Sequence, residues 1–186
     1  MKFIETKLKG ALIIDTKIWR DDRGYFYESY SKKLFKEEGI DADFVQDNQS
    51  LSQPNTLRGL HAQAPPNAQG KLVRVIQGKA LDVIVDVRKD SSTFGEYISV
   101  ELSGENHRLL WVPPGFLHGF VTIEENTIFT YKVTDVYNKE SEIGVIWNDQ
   151  TLNIDWGIEN NQVILSEKDK LWQILVKQND TRIKSR

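Results

Sequence analysis

LDVIVDV, residues Leu81–Val87, is the stretch whose reading decides the fold. It alternates: Leu81, Val83, Val85 and Val87 fall on one face of an extended chain, and Asp82, Ile84 and Asp86 on the other. The same texture recurs in KLVRVIQG (Lys71–Gly78), EYISVEL (Glu96–Leu102), HRLLWV (His107–Val112) and FLHGFVTI (Phe116–Ile123). Each run is short and bounded by Gly, Pro, Asn or Asp, as strands are. TIFTYKVTDVY (Thr127–Tyr137) would place Phe129, Tyr131, Val133, Asp135 and Tyr137 on one face of a regular strand. Strands so spaced predict an all-β chain closed into a barrel or sandwich.

Helical signals are few. SKKLFKEEG (Ser31–Gly39) has a serine start and a glycine stop. SEKDKLWQIL (Ser166–Leu175) starts on a serine with acidic residues in its first turn, which favours a helix there too. The tail KQNDTRIKSR is polar and expected to fray. No repeat, linker or low-complexity stretch interrupts the 186 residues, so one domain spanning 1–186 is expected. A net charge of −3 gives no bulk field for nucleic acid or anionic lipid, and any anion specificity must be local. The absence of cysteine excludes disulfides, thiolate metal sites and a cysteine nucleophile. Near the N-terminus the apolar run ALII is too short for a signal-peptide core or a membrane span, so a cytoplasmic protein with no membrane partner is expected.

Three histidines are present: His61, His107 and His118. A metal site in a barrel of this kind needs two or three histidines plus a carboxylate, two of the ligands usually close in sequence. His61 in RGLHAQ has no close histidine partner, and His118 in GFLHGF lies far along the chain; a two-histidine site stays open. No G-x-S-x-G or Walker-type loop supports serine or nucleotide-hydrolysing chemistry. What remains is polar residues inside strand signals. Singly, Arg58 reads as a surface arginine, His61 as a core histidine, Lys71 as a strand-edge residue and Tyr131 as a core aromatic. Jointly, a histidine base, a lysine cation and a tyrosine acid lining one barrel are what proton abstraction beside a carbonyl requires.

The blocks DDRGYFYES, FVQDNQS, LRGLHAQ, AQGKLVRVIQGKALDVIVDVRKDSSTFGEY, LWVPPGFLHGF, YKVTDVY, IWND and LSEKD run in order from Asp21 to Asp169. In these blocks the chain resembles the dTDP-4-dehydrorhamnose 3,5-epimerases, cupin-fold enzymes of deoxysugar biosynthesis. The resemblance implies a jelly-roll barrel, no metal or organic cofactor, and a substrate carrying a 4-keto hexose on a nucleotide diphosphate. It also implies a homodimer in which N-terminal strands join the partner's sheet; the alternating segment Phe3–Trp19 would otherwise leave exposed edges. By the same resemblance His61 falls on the general base, Tyr131 on the general acid, Asp169 on the aspartate that orients the histidine, and Lys71 on the lysine beside the C4 carbonyl oxygen. Nucleotide-sugar contacts fall on Arg23, Glu28, Gln46, Asn48, Arg58, His118, Tyr137, Glu142 and Lys168.

The C4 ketone acidifies the protons at C3 and C5, and removing one creates an enolate that a buried cation stabilises. A base on one sugar face and an acid on the other invert the carbon without moving the ring. Arg58 and His61 are three apart, so a regular strand would point them to opposite faces; a bulge at Gly59 would bring them together. The family pattern has an aromatic after RGLH, where this chain has Ala62. That truncation either opens space beside the base or reflects repacking of an outer face. It leaves open a C3-only epimerase and an epimerase of a GDP-linked keto heptose. A keto-sugar isomerase on the same fold lacks the YKVTDVY block, and a non-catalytic sugar-binding cupin would not need an acid–base pair.

Overall fold

A computed structural model describes residues 1–175. In chain order the elements are β1 (Lys2–Glu5), β2 (Leu12–Asp15), β3 (Ile18–Asp21), β4 (Gly24–Tyr27), α1 (Lys32–Glu37), β5 (Gln46–Ser52), β6 (Leu57–Gln63), β7 (Lys71–Gln77), β8 (Lys79–Asp86), β9 (Tyr97–Ser103), β10 (Leu109–Val112), β11 (Phe116–Thr122), β12 (Thr127–Val133) and β13 (Glu142–Gly144). Two sheets face each other, one ordered β1-β2-β10-β7-β12-β5 and the other β13-β6-β11-β8-β9, while β3 and β4 pair alone. Strands distant in sequence lie side by side, as in a jelly roll: β10 runs antiparallel between β2 and β7, and β11 between β6 and β8. This is the all-β sandwich that the strand pattern predicts.

Alternation in β8 divides the strand between two cores. Ile84 packs between the sheets with Val73, Val75, Leu102, Leu110, Phe116, Phe120 and Phe129. There the Phe120 and Phe129 rings stack with centroids 3.8 Å apart and planes 3° apart. Val83 and Val85 point the other way and join Leu57, Leu117 and Val121 under a cover of Trp147, Leu152, Trp156 and Leu175. Each such side chain taken from water stabilises the fold by about 1.5–3 kcal/mol. The valine face is therefore the outer one, and the face that carries Asp82 looks into the sandwich. A third cluster closes the outside of the other sheet, where Phe35 of α1 meets Ile14, Leu72, Leu109 and Trp111.

The helix expected over Ser31–Gly39 forms as Lys32–Glu37, with Ser31 in the N-cap position and Gly39 ending it at φ +85°. The helix expected over Ser166–Leu175 does not form. Only a 3-10 turn, Asp169–Leu171, is present, and the chain is extended from Trp172. Tertiary bonds override the local preference: Gln173 O accepts from Ile146 N at 2.9 Å, and Leu175 N donates to Asp149 Oδ2 at 2.6 Å. The strand expected over Thr127–Tyr137 stops at Val133. Beyond it one backbone bond, from Thr134 N to Gly70 O, is joined by side-chain bonds, with Thr134 Oγ1 accepting from Gly70 N and Asp135 O from Gln69 Nε2. The polar tail from Lys177 lies outside the described residues. Among the described residues no helix is long and apolar enough to cross a membrane.

Candidate active site

The site begins with a defect in a ladder. Between β6 and β11, His61 pairs with His118 and Arg58 with Phe120, so β6 carries one more residue than β11 between the two pairs. Gly59 occupies that bulge at φ +108°, and a Cβ there would lie 2.5 Å from the His118 carbonyl oxygen. Only glycine fits. The bulge brings Arg58 and His61 to the same face, resolving the conflict posed by their spacing. On the opposing sheet Tyr131 pairs with Asn48 of β5 and Val73 of β7, while Val133 pairs with Gln46 and Lys71. Strand periodicity thus puts Lys71 on the inward face of Val73, and Tyr131 on that of Phe129.

A cavity of about 230 Å³ gathers these side chains. His61 and Gln63 border it from β6, Lys71 from β7, Tyr131 from β12, and Gln46 and Asn48 from β5. Tyr137, Glu142 and Lys168 complete the lining. Lys168 Nζ and the Tyr137 hydroxyl both donate to the buried Glu142 carboxylate, the latter at 3.3 Å. Gln46 Nε2 donates to Asn48 Oδ1 at 2.8 Å, and Gln46 Oε1 accepts from Tyr137 N. Arg58 is exposed and donates from Nη2 to Ser52 Oγ at 3.2 Å. His118 is buried directly across the ladder from His61, its Nε2 2.8 Å from Asp82 Oδ2.

Burial sets the protonation states. His61 is held well below the usual histidine range by desolvation and then by the positive charges of Lys71 and its neighbours, so it is a neutral base at pH 7. Burial also lowers the Lys71 ammonium to about 8, with Asp82 and Glu142 opposing the fall. Desolvation raises the Tyr131 phenol, which stays protonated at neutral pH although Arg58 works the other way. Lys168 is held up because its bond and charge interaction with Glu142 outweigh partial burial. The site therefore offers a neutral imidazole, a buried ammonium and a phenolic donor.

Five expected members do not border this cavity: Arg23, Glu28, Arg58, His118 and Asp169. Arg23 and Glu28 are exposed on and just after the β3–β4 hairpin and do not border the cavity; Arg23 instead pairs with Asp21. Asp169 is buried on the turn packed against β6, but its carboxylate accepts from Ser166 Oγ at 2.7 Å, and His61 Nδ1 is buried without a hydrogen-bond partner. Among the described residues no three His, Asp or Glu side chains gather as a metal site. Two residues escaped the sequence reading. Gln63 ties the loop after β6 to the segment after β12, donating to Asn67 O and Val136 O and accepting from Asn138 N. Asp82 underlies His118; its signal was an acidic residue within an aliphatic strand.

Ala62 is buried in the cluster outside the sandwich, with its backbone opposite Ile143, and also borders the cavity edge. Of the two readings of the missing aromatic, this placement favours a repacked outer face.

Known proteins share this fold. The dTDP-4-dehydrorhamnose 3,5-epimerase of Salmonella typhimurium is 50% identical over 157 residues, 84% of this chain and 86% of that protein. The crystal structure of dTDP-4-dehydrorhamnose 3,5-epimerase from Elizabethkingia anophelis superposes with a TM-score of 0.90 at 48% identity, covering 94% of this chain and 96% of that one. The dTDP-6-deoxy-D-glucose-3,5-epimerase of Legionella pneumophila, solved with dTDP-4-keto-L-rhamnose, does so with a TM-score of 0.90 at 45% identity, covering 97% and 94%. The sequence profile of the dTDP-4-dehydrorhamnose 3,5-epimerases matches residues 5–177, and the chain belongs to that family.

Proposed function

We propose that this protein inverts C3 and C5 of a dTDP-linked 4-keto-6-deoxy sugar. The observation that carries the reading is that His61 stands on one sheet while Tyr131 and Lys71 stand on the other, all bordering one cavity. A sugar ring between the sheets would meet a base on one face and an acid on the opposite face. Neutral His61 takes the proton from C3 or C5, and the C–H electron pair forms the enolate double bond. The negative charge moves to the C4 oxygen, beside the Lys71 ammonium. Tyr131 then protonates the carbon from the other side as the carbonyl re-forms. The imidazolium releases its proton and the phenolate regains one, so each inversion leaves the enzyme unchanged.

Arg58, exposed on β6, is suited to the diphosphate, because a guanidinium can give two parallel charge-assisted bonds. Gln46, Asn48, Tyr137, Glu142 and Lys168 offer polar contacts to the rest of the nucleotide sugar, and His118 lies behind the reacting ring. Asp169 would orient His61 by turning its carboxylate from Ser166 to the free Nδ1. The relatives named above are 3,5-epimerases, which favours inversion at both carbons of a dTDP sugar over the C3-only and GDP-linked alternatives.

Incubation with dTDP-4-keto-6-deoxyglucose in deuterated water tests the reading. Deuterium should enter at C3 and C5. His61→Asn should abolish exchange at both carbons, a loss of about a hundredfold to ten-thousandfold. Tyr131→Phe should cut epimerised product as strongly yet leave some exchange with retained configuration. Near-normal exchange in His61→Asn would remove the proposed base, and label at C3 alone would reduce the reaction to one inversion.

A further inference from the structure

Asp82 is fully buried on the face of β8 that looks between the sheets. Its Oδ2 lies 2.8 Å from His118 Nε2, and its Oδ1 is buried with no partner. Asp86, four residues on and equally buried, is different: Arg88, Ser91 and Thr93 all donate to its carboxylate. Buried carboxylates that serve the fold are satisfied in that way. Asp82 instead looks across the sandwich at the sheet whose inward face carries the buried Lys71, and its charge acts on that ammonium. An ammonium stripped of water stays charged only beside a counter-charge. Glu142, the other acidic group acting on Lys71, is already engaged by Lys168 and Tyr137. Among the described residues the one hydrogen-bond partner of the Asp82 carboxylate is His118.

We propose that Asp82 is a positioning residue for the enolate side of the cavity: it supplies the counter-charge that keeps Lys71 an ammonium, and it fixes the His118 ring with Nε2–H directed at its carboxylate. The inference rests on the epimerase reading for its consequence in turnover, but not for its electrostatics. Burial pushes the Asp82 carboxyl up, while His118 and Lys71 pull it back toward ionisation. The titratable groups of the surrounding elements are His118 on β11, Lys71 on β7, His61 on β6, Tyr131 on β12, Glu142 on β13 and Lys168. The β9 residue opposite Asp82 is the uncharged Val100.

Asp82→Asn keeps the shape and removes the charge. With side-chain-labelled lysine and histidine, NMR should show the Lys71 titration midpoint falling by roughly one unit or more. The alkaline limb of kcat/KM should move down with it, so that turnover falls more at pH 8.5 than at pH 6. An unchanged Lys71 midpoint, or an equal loss of rate at every pH, overturns the proposal. If the wild-type enzyme turns over no 4-keto sugar, the epimerase reading fails, and the lysine midpoint still judges Asp82. Should the variant not fold, the wild-type His118 signal decides: a protonated Nε2 supports the assignment, and an unprotonated Nε2 overturns it.

Discussion

His61, the proposed base, is held neutral by desolvation and by the positive charges around it. Its neutral form is favoured in the fold, so its contribution to stability is fully present above the ordinary histidine value near 6.5 and is lost as pH falls below it. Catalysis follows the folded value. The acid limb of kcat/KM should lie well below pH 6.5, and the alkaline limb should fall near 8, where Lys71 loses the proton that holds the enolate. Rate measurements from pH 5 to 10 check this; an acid limb at 6.5 would mean that His61 is solvated during turnover. His61, Lys71 and Tyr131 were legible because proton transfer beside a carbonyl requires their residue types. Asp82 was not, since alternation shows that it opposes Val83 and Val85 but not which of the two faces looks inward.

At the scale of elements, strands read well and the C-terminal segment read poorly. Runs such as Lys71–Gln77 and Phe116–Thr122 carry their period within themselves. The segment after β13 takes its shape from bonds to distant residues, which no local pattern encodes. Asp149 is the chief of these: it is buried, and its carboxylate accepts from the backbone N–H groups of Thr151, Leu152 and Leu175. Asp149→Ala should therefore destabilise the protein by about 3 kcal/mol, on the scale of hydrogen bonds to charged groups. A lower urea midpoint should report it, and a shift of a few tenths of a kcal/mol would show that the segment is held by its tryptophans alone. Ala62→Tyr belongs to the same layer. Overpacking there should cost about 1–3 kcal/mol while leaving the C3-to-C5 exchange ratio unchanged; an altered ratio would restore the open-pocket account.

At the scale of the molecule, the hairpin β3–β4 is unfinished business. Trp19, Tyr25 and Phe26 are exposed on it, Phe26 by 69%. The apolar pair of Trp19 and Phe26, on the face away from the Tyr25 and Tyr27 rings that pack on His107, suits a partner surface better than water. We propose a homodimer in which the hairpin of one copy delivers Arg23 and Glu28 to the cavity of the other. Sedimentation at micromolar concentration should give about twice the monomer mass, and Phe26→Glu should shift it toward the monomer. A wild-type monomer would end the proposal.

The strand β5 ends its sheet, paired on one side only with β12, and it carries Gln46 and Asn48 into the cavity. Half of that strand's backbone hydrogen-bonding capacity is thus left to whatever lies beyond the edge. If a second chain docks there, the position of two proposed substrate contacts is set by mass action. Specific activity would then fall on dilution before any unfolding begins, and substrate would oppose the loss by drawing the chains together.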